Sequence, residues 1–205
     1  MNDTETPTPA SARGRSSYTL DLRKGGSTPW PLKTKIKRAL WNLTWSLFRF
    51  SPRRRGNPWR LSLLRAFGAK IHGDPLIHPQ CTILQPWELE IGEFSAIGER
   101  AEIYNYARVI IGPMTVVSQY TFLCTGTHDY THPYMPLTWK PITIGAECWV
   151  AAGAFIGPGV TVHDGAVVGA YAVVTKDVPP WTVSAGNPCK VIKPRIMQSL
   201  TPDDL

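Results

Sequence analysis

The chain has no CxxC pair and no close cysteine spacing. Its four cysteines, Cys81, Cys124, Cys148 and Cys189, stand far apart, which excludes the disulfide frameworks and thiolate metal sites that are read from such spacing. Reduced thiols fit this pattern. No uncharged apolar run approaches the roughly 20 residues of a membrane-spanning helix, and the first thirty residues contain no apolar core segment. A signal peptide is therefore not expected, and the chain is predicted to be cytoplasmic. Acidic residues are missing altogether between positions 31 and 70, where eleven Lys or Arg occur; because the whole chain carries +7, the remainder is net −4. Basicity confined to one segment argues for a local partner.

What the sequence does have is a period of six. From Ile144 an aliphatic residue returns as Val150, Ile156, Val162, Val168 and Val174, a spacing that fits neither the helical 3.6 nor simple strand alternation. Each unit must be a short strand plus a turn. Four residues after each aliphatic stands a compact one (Cys148, Ala154, Val160, Ala166, Ala172, Val178), which alternation also turns inward. Between them lie turn residues such as Gly157, Pro158 and Gly165. Read backwards, the register continues through Ile71, Ile77, Ile83, then Ile91, Ile97, Ile103, then Ile111, Val117, Leu123. Three hexads make one turn of a prism, and stacked turns pair in parallel and bury each other's apolar edges. The predicted fold is all-β, a parallel β-helix of about five coils. The steps from Ile83 to Ile91, Ile103 to Ile111 and Leu123 to Ile144 exceed six and all fall at one corner, so an inserted loop over 128–143 leaves from that corner. A loop of that length in so regular a stack points to function.

The predicted organisation is an extended or disordered N-terminal arm over 1–30, a basic amphipathic helical segment over 31–70, the β-helix over 71–179 and a C-terminal tail over 180–205 that packs on it. In the basic segment Ile36, Leu40, Leu43, Leu47 and Phe50 form a helical stripe, widened by Trp41, Trp45 and Phe48, and Ser51-Pro52 ends it. A second short helix is expected from Trp59 to Phe67, closed by Gly68. Two readings of this segment stay open. It caps the open end of the β-helix, as every solenoid requires; or the same surface also meets an anionic membrane face or a lipid-linked glycan, placing the protein at the inner face of the membrane. Nucleic acid is not an expected partner, because no reading motif accompanies the charge.

Of five histidines, His72, His78 and His163 follow inward aliphatics and are expected at solvated turns. His128 and His132 lie in the inserted loop, where an imidazole beside a groove can take a proton from a hydroxyl near neutral pH; His132 reads more simply as a surface residue. Asp129 could orient His128, although neighbouring side chains often diverge.

The segment Thr127-His128-Asp129-Tyr130, the run Pro141-Ile142-Thr143-Ile144-Gly145 leading to Trp149-Val150-Ala151-Ala152, and the close Val174-Thr175-Lys176-Asp177-Val178-Pro179 followed by Ala185-Gly186-Asn187-Pro188-Cys189-Lys190 resemble the hexapeptide-repeat O-acetyltransferases. The nearest likeness is to the colanic-acid or exopolysaccharide biosynthesis branch, with galactoside and maltose acetyltransferases further off. The resemblance spans about residues 32–195. It implies a left-handed coil, a homotrimer with sites between neighbouring prisms, and direct acetyl transfer from acetyl-CoA to a sugar or glycan-precursor hydroxyl, with no metal. Carried over residue by residue, it implies His128 as general base and Asn105 beside the acceptor hydroxyl or the oxyanion; a ladder role for Asn105 stays open. It implies cofactor contacts at Ala152, Ala170, Thr175, Lys176, Lys190 and Lys193, with a backbone contact at Ala152. Trp149 faces outward by register and would wall the cofactor groove or pack in the trimer interface. Lys190 and Lys193 stand where Arg is common, keeping the charge without the bidentate fork. Two rivals share the fold: a γ-type carbonic anhydrase with three histidine ligands, whose pattern the scattered His72, His78 and His163 do not match, and a β-helix scaffold without chemistry.

Overall fold

Every hexad folds as a two- or three-residue strand followed by a sharp turn, so the inward aliphatics stack in three columns. The computed structural model of the chain describes residues 30–199; all of the arm expected over 1–30 except Trp30 lies outside them. The first face of the prism is a parallel sheet of β1 (Lys70–Ile71), β4 (Leu89–Ile91), β7 (Val109–Ile111), β12 (Ile142–Ile144) and β15 (Thr161–Val162). The third face holds β3 (Thr82–Ile83), β6 (Glu102–Tyr104), β9 (Phe122–Cys124), β14 (Phe155–Ile156) and β17 (Val173–Val174). The second face runs through β2 (Leu76–Ile77), β5 (Ala96–Ile97), β8 (Val116–Val117), β13 (Trp149–Val150) and β16 (Val167–Val168). It gains two more strands, β18 (Thr182–Ala185), parallel to β16, and β19 (Lys190–Pro194), antiparallel to β18. Together these make a left-handed parallel β-helix of five full coils, and a sixth is begun by the Val178 bridge to Val162 and by β18.

The inward positions are closed to solvent: Ile77, Ile91, Ile103, Val117, Leu123, Ile144, Val150 and Val168 are all fully buried. Hydroxyls also point inward and stitch the coils. Ser95 Oγ donates to the Gly112 carbonyl (2.7 Å) and accepts from the Thr115 N–H, while Thr115 Oγ1 donates to Gly145 (2.6 Å) and accepts from the Cys148 N–H. Burial pushes the Cys81 thiol up to about 12, which keeps it protonated and inert.

Helices α1 (Leu32–Phe48) and α2 (Asn57–Ala66) precede the first coil. Pro58 opens α2, and Gly68, at φ +98°, closes it; the Ala69 N–H reaches back to the Leu64 carbonyl. The first coil has no coil before it, so backbone groups that would pair with one face outward. The helices satisfy them with side-chain donors. Trp41 Nε1 donates to Ile83 O (2.6 Å), Trp45 Nε1 to Cys81 O (2.9 Å), Arg60 Nε to Ile77 O (3.0 Å), Asn57 Nδ2 to Pro75 O (2.9 Å) and Arg65 Nη2 to Gly73 O (2.7 Å). Asn57 Oδ1 accepts from the Ile77 N–H. A row of carbonyls demands donors, and an aspartate or glutamate there would set acceptor against acceptor. Arg60 is fully buried, and its other nitrogens donate to Ser51 Oγ and to the Pro52 and Arg53 carbonyls.

The helical spacing joins Ile36, Leu40, Leu43 and Leu47 with Trp41 and Trp45 in one widened stripe and does not say which part of it is buried. Only the tryptophans are buried, at 0% and 7% exposure, while the aliphatic stripe is 51–71% exposed. The indole N–H groups meet the carbonyl edge, which no aliphatic side chain can do.

Candidate active site

The insertion at the corner after β9 is a β-hairpin, β10 (Gly126–His128) paired with β11 (Leu137–Trp139). Residues 128–137 belong to a compact unit separate from that of the coils. Within that unit His128 Nδ1 lies 2.6 Å from the Met135 carbonyl oxygen. A carbonyl can only accept, so Nδ1 carries the hydrogen and the neutral ring keeps its lone pair on Nε2. The ring is exposed. Asp129 does not reach His128. Its carboxylate accepts from Thr131 N–H (3.0 Å) and Thr131 Oγ1 (2.5 Å), and these bonds hold it below the usual carboxylate range. His132 Nδ1 accepts from the Tyr134 N–H. The backbone, rather than a carboxylate, sets the tautomer of His128.

Among the coils, the residues expected around the cofactor fall into two groups. Trp149 points outward from the second face, half exposed, with its Nε1 donating to Ser118 Oγ (3.0 Å). The register runs Trp149, Val167, Val183, Lys193 across β13, β16, β18 and β19. Lys193 therefore closes an outward row that passes through Trp149, three strand spacings or about 14 Å away. Lys190 pairs with Ala185 in the same hairpin. Ala152 and Ala170 occupy successive coils at the corner between the second and third faces, where the Tyr171 N–H donates to the Ala152 carbonyl. Gly153, between them, takes φ +68°; a Cβ there would stand 2.4 Å from the Tyr171 ring. Thr175 and Lys176 are exposed at the next corner, on the far side of the third face. Trp149 and Lys193 thus share one row, Lys190 lies in the hairpin that ends it, Ala152 and Ala170 share the adjoining corner, and Thr175 and Lys176 stand at the next corner.

Asn105 lies inside the prism with no exposure. Its Oδ1 accepts from the Gln85 N–H (2.9 Å) and its Nδ2 donates to the Gln85 carbonyl (2.7 Å). A sugar could reach it only by opening the coil, so the ladder role is the one the geometry displays. What alternation turns outward are its neighbours. Tyr104 and Tyr106 share a hydrogen bond between their hydroxyls (2.7 Å), and burial with that bond raises Tyr104 to about 12. Trp30 stacks on Tyr106 (centroids 5.4 Å) and leans on Trp139 (5.2 Å), while the Arg38 guanidinium lies over Trp30 and Tyr106. Sequence reasoning missed this aromatic shelf, although two tyrosines flanking an inward residue carried the signal. Among the described residues no three His, Cys, Asp or Glu converge to hold a metal ion.

Residues 141–176 match the model for bacterial transferase hexapeptide repeats. The chain is 40% identical over 156 residues to WcaF of Escherichia coli K12, a protein named for acetyl transfer in colanic acid biosynthesis, covering 76% of this chain and 85% of that one. It is 31% identical to the galactoside O-acetyltransferase of the same organism, over 65% of this chain and 68% of that one. Among solved structures, a galactoside acetyltransferase in complex with coenzyme A superposes with a TM-score of 0.74 at 26% identity, over 85% of this chain and 89% of that one. A maltose O-acetyltransferase from Clostridium difficile 630 gives 0.68 at 26% identity, over 82% and 90%.

Proposed function

Because the chain belongs to the hexapeptide-repeat acetyltransferases, a family of acyltransferases, we propose that it moves an acetyl group from acetyl-CoA to a sugar hydroxyl in the biosynthesis of an exopolysaccharide or another surface glycan. The observation that carries the reaction is the fixed tautomer of His128. Its Nε2 lone pair takes the proton as the acceptor oxygen attacks the thioester carbonyl; when the tetrahedral adduct collapses, the C–S bond breaks and the proton passes to the departing thiolate. Acetyl ester and free CoA are the products. The thioester is already activated, so no covalent enzyme intermediate is required.

The cofactor reading rests on the row from Trp149 to Lys193. An apolar strip of Val167 and Val183 suits the pantetheine arm, and the cations of Lys190 and Lys193 suit phosphate oxygens. Thr175 and Lys176 stand one corner too far for the same groove and would serve a neighbouring copy. Three copies related by a threefold axis supply that arrangement, and the outward row Leu76, Ala96, Val116, Trp149 gives them an apolar face to bury. The first face, which carries the Arg108–Glu90–His72 cluster, is polar. Trp139, 39% exposed at the edge of the Trp30–Tyr106 stack, offers a ring on which a pyranose can stack, and we assign the acceptor contact there rather than at Asn105.

The test is free-CoA release from acetyl-CoA over a panel of sugar acceptors, with native protein and with His128→Ala. Turnover is expected to fall by roughly 10²–10⁴ while acetyl-CoA still protects the variant against heat. Turnover that survives the substitution would remove His128 as the base, and acetyl-CoA that fails to stabilise either protein would remove the enzyme reading.

A further inference from the structure

Helix α1 carries two apolar faces on opposite sides. At about 100° per residue, Leu32, Ile36, Leu40, Leu43 and Leu47 fall within roughly 80° of arc, and Trp41 and Trp45 lie across the helix from them. The tryptophan face is consumed by the first coil. The aliphatic face stays open among the described residues: its five residues are 51–72% exposed, and the stripe runs on to Phe50 at 94%, with Trp59 of α2 also open at 69%.

The charge around the stripe has one sign. Lys33, Lys35, Arg49, Arg53, Arg54 and Arg55 are exposed, and no acidic residue occurs between positions 31 and 70. Completion of the carbonyl edge accounts for Arg60 and Arg65 only. The helix is not long and apolar enough to cross a bilayer, so any contact with one would be along its surface.

We propose that the exposed stripe of α1 enters the head-group region of an anionic membrane, with the flanking lysines and arginines on the lipid phosphates and Phe50 and Trp59 at the interface. Charge decides between occupants. A second copy docked symmetrically through this face would bring the same cations against themselves, whereas an anionic leaflet neutralises them at about five-fold in affinity per basic residue. The indoles of α1 point into the prism, so the helix is held with its stripe outward before any lipid is met, and little ordering remains to be done on binding. The inference is independent of the acetyltransferase reading.

Flotation of the full chain on phosphatidylcholine vesicles, with and without phosphatidylglycerol, tests it. The native chain is expected to float only with the anionic lipid. Leu40→Ser/Leu43→Ser/Leu47→Ser should lower partitioning by about tenfold per leucine, and Arg53→Gln/Arg54→Gln/Arg55→Gln by roughly a hundred-fold together. Both variants change exposed residues only, so unchanged thermal midpoints and unchanged solution mass are part of the expected result. A native chain that stays down with phosphatidylglycerol, or a serine variant that floats like the native chain, would overturn the proposal. So would a fall in solution mass on serine substitution, which would show that a second copy covers the stripe.

Discussion

Replacing Trp41 by Phe keeps an aromatic ring in the cap and deletes one N–H. The Trp41 indole is fully buried, donates to Ile83 O at 2.6 Å, stacks against Trp45 at 4.8 Å and packs at a tilt against Phe67 at 5.2 Å. Losing the donor leaves a buried carbonyl unpaired, at about 1–3 kcal/mol. The smaller ring leaves about 40 Å³ unfilled, which at about 24 cal/mol per Å³ adds about 1 kcal/mol. The expected destabilisation is therefore about 2–4 kcal/mol, read by urea unfolding followed through far-UV circular dichroism, since the substitution removes a fluorophore. Trp59→Phe, at an exposed site, is the matched control and should stay within about 0.5 kcal/mol of native. A loss near 1 kcal/mol for Trp41→Phe would leave only the volume effect and refute the donor role of the indole. Equal losses at Trp41 and Trp59 would refute the capping account as a whole.

Lys193→Ala should raise KM for acetyl-CoA about tenfold with kcat unchanged, as expected for loss of one charge-assisted contact away from the reacting carbon; an unchanged KM would move the phosphate end elsewhere. The hydrogen bond from His72, reinforced by Arg108 at 2.7 Å, holds the Glu90 carboxyl below its ordinary value. A carboxyl whose pKa is lower in the folded chain stabilises above its unfolded pKa and loses that contribution as pH falls through the folded one. The thermal midpoint should therefore drop on acidification below the ordinary glutamate range, and Glu90→Gln should flatten that part of the profile. A profile that Glu90→Gln leaves unaltered would show the cluster to be decorative.

The phase of the prism was legible because each hexad contributes one side and a slip of one residue would turn every aliphatic to solvent. The same alternation should have placed Asn105, two residues beyond inward Ile103, inside the coil and its flanking tyrosines outside. Resemblance drew attention to the asparagine, and register pointed to its neighbours. The orientation of α1 was not legible, because Leu40 and Leu43 repeat at helical spacing as well as Trp41 and Trp45 do. Only the carbonyl edge of the first coil chooses between them, and that edge exists only once the coil has formed. Nor could spacing relate Lys193 to Trp149. Their shared row depends on the reversal between β18 and β19, which interrupts the hexads, and on a register shift at Val183 and Ser184. His128 was legible as a residue and its hydrogen-bond partner was not, since Met135 returns to it through a hairpin whose turn has no period.

The reversed strand β19 also governs growth. A parallel stack is open-ended by construction, for each coil displays the pattern that the next one copies, and two prisms meeting end to end could continue one another into a fibre. At the far end of the second face, however, the last strand runs against the others, and it carries Lys190 and Lys193. A parallel strand arriving at this edge would find the wrong polarity and two cations where it needs a template. The chain thus closes its repeat at both ends by different means, with side-chain donors of two helices before the first coil and a reversed strand after the last.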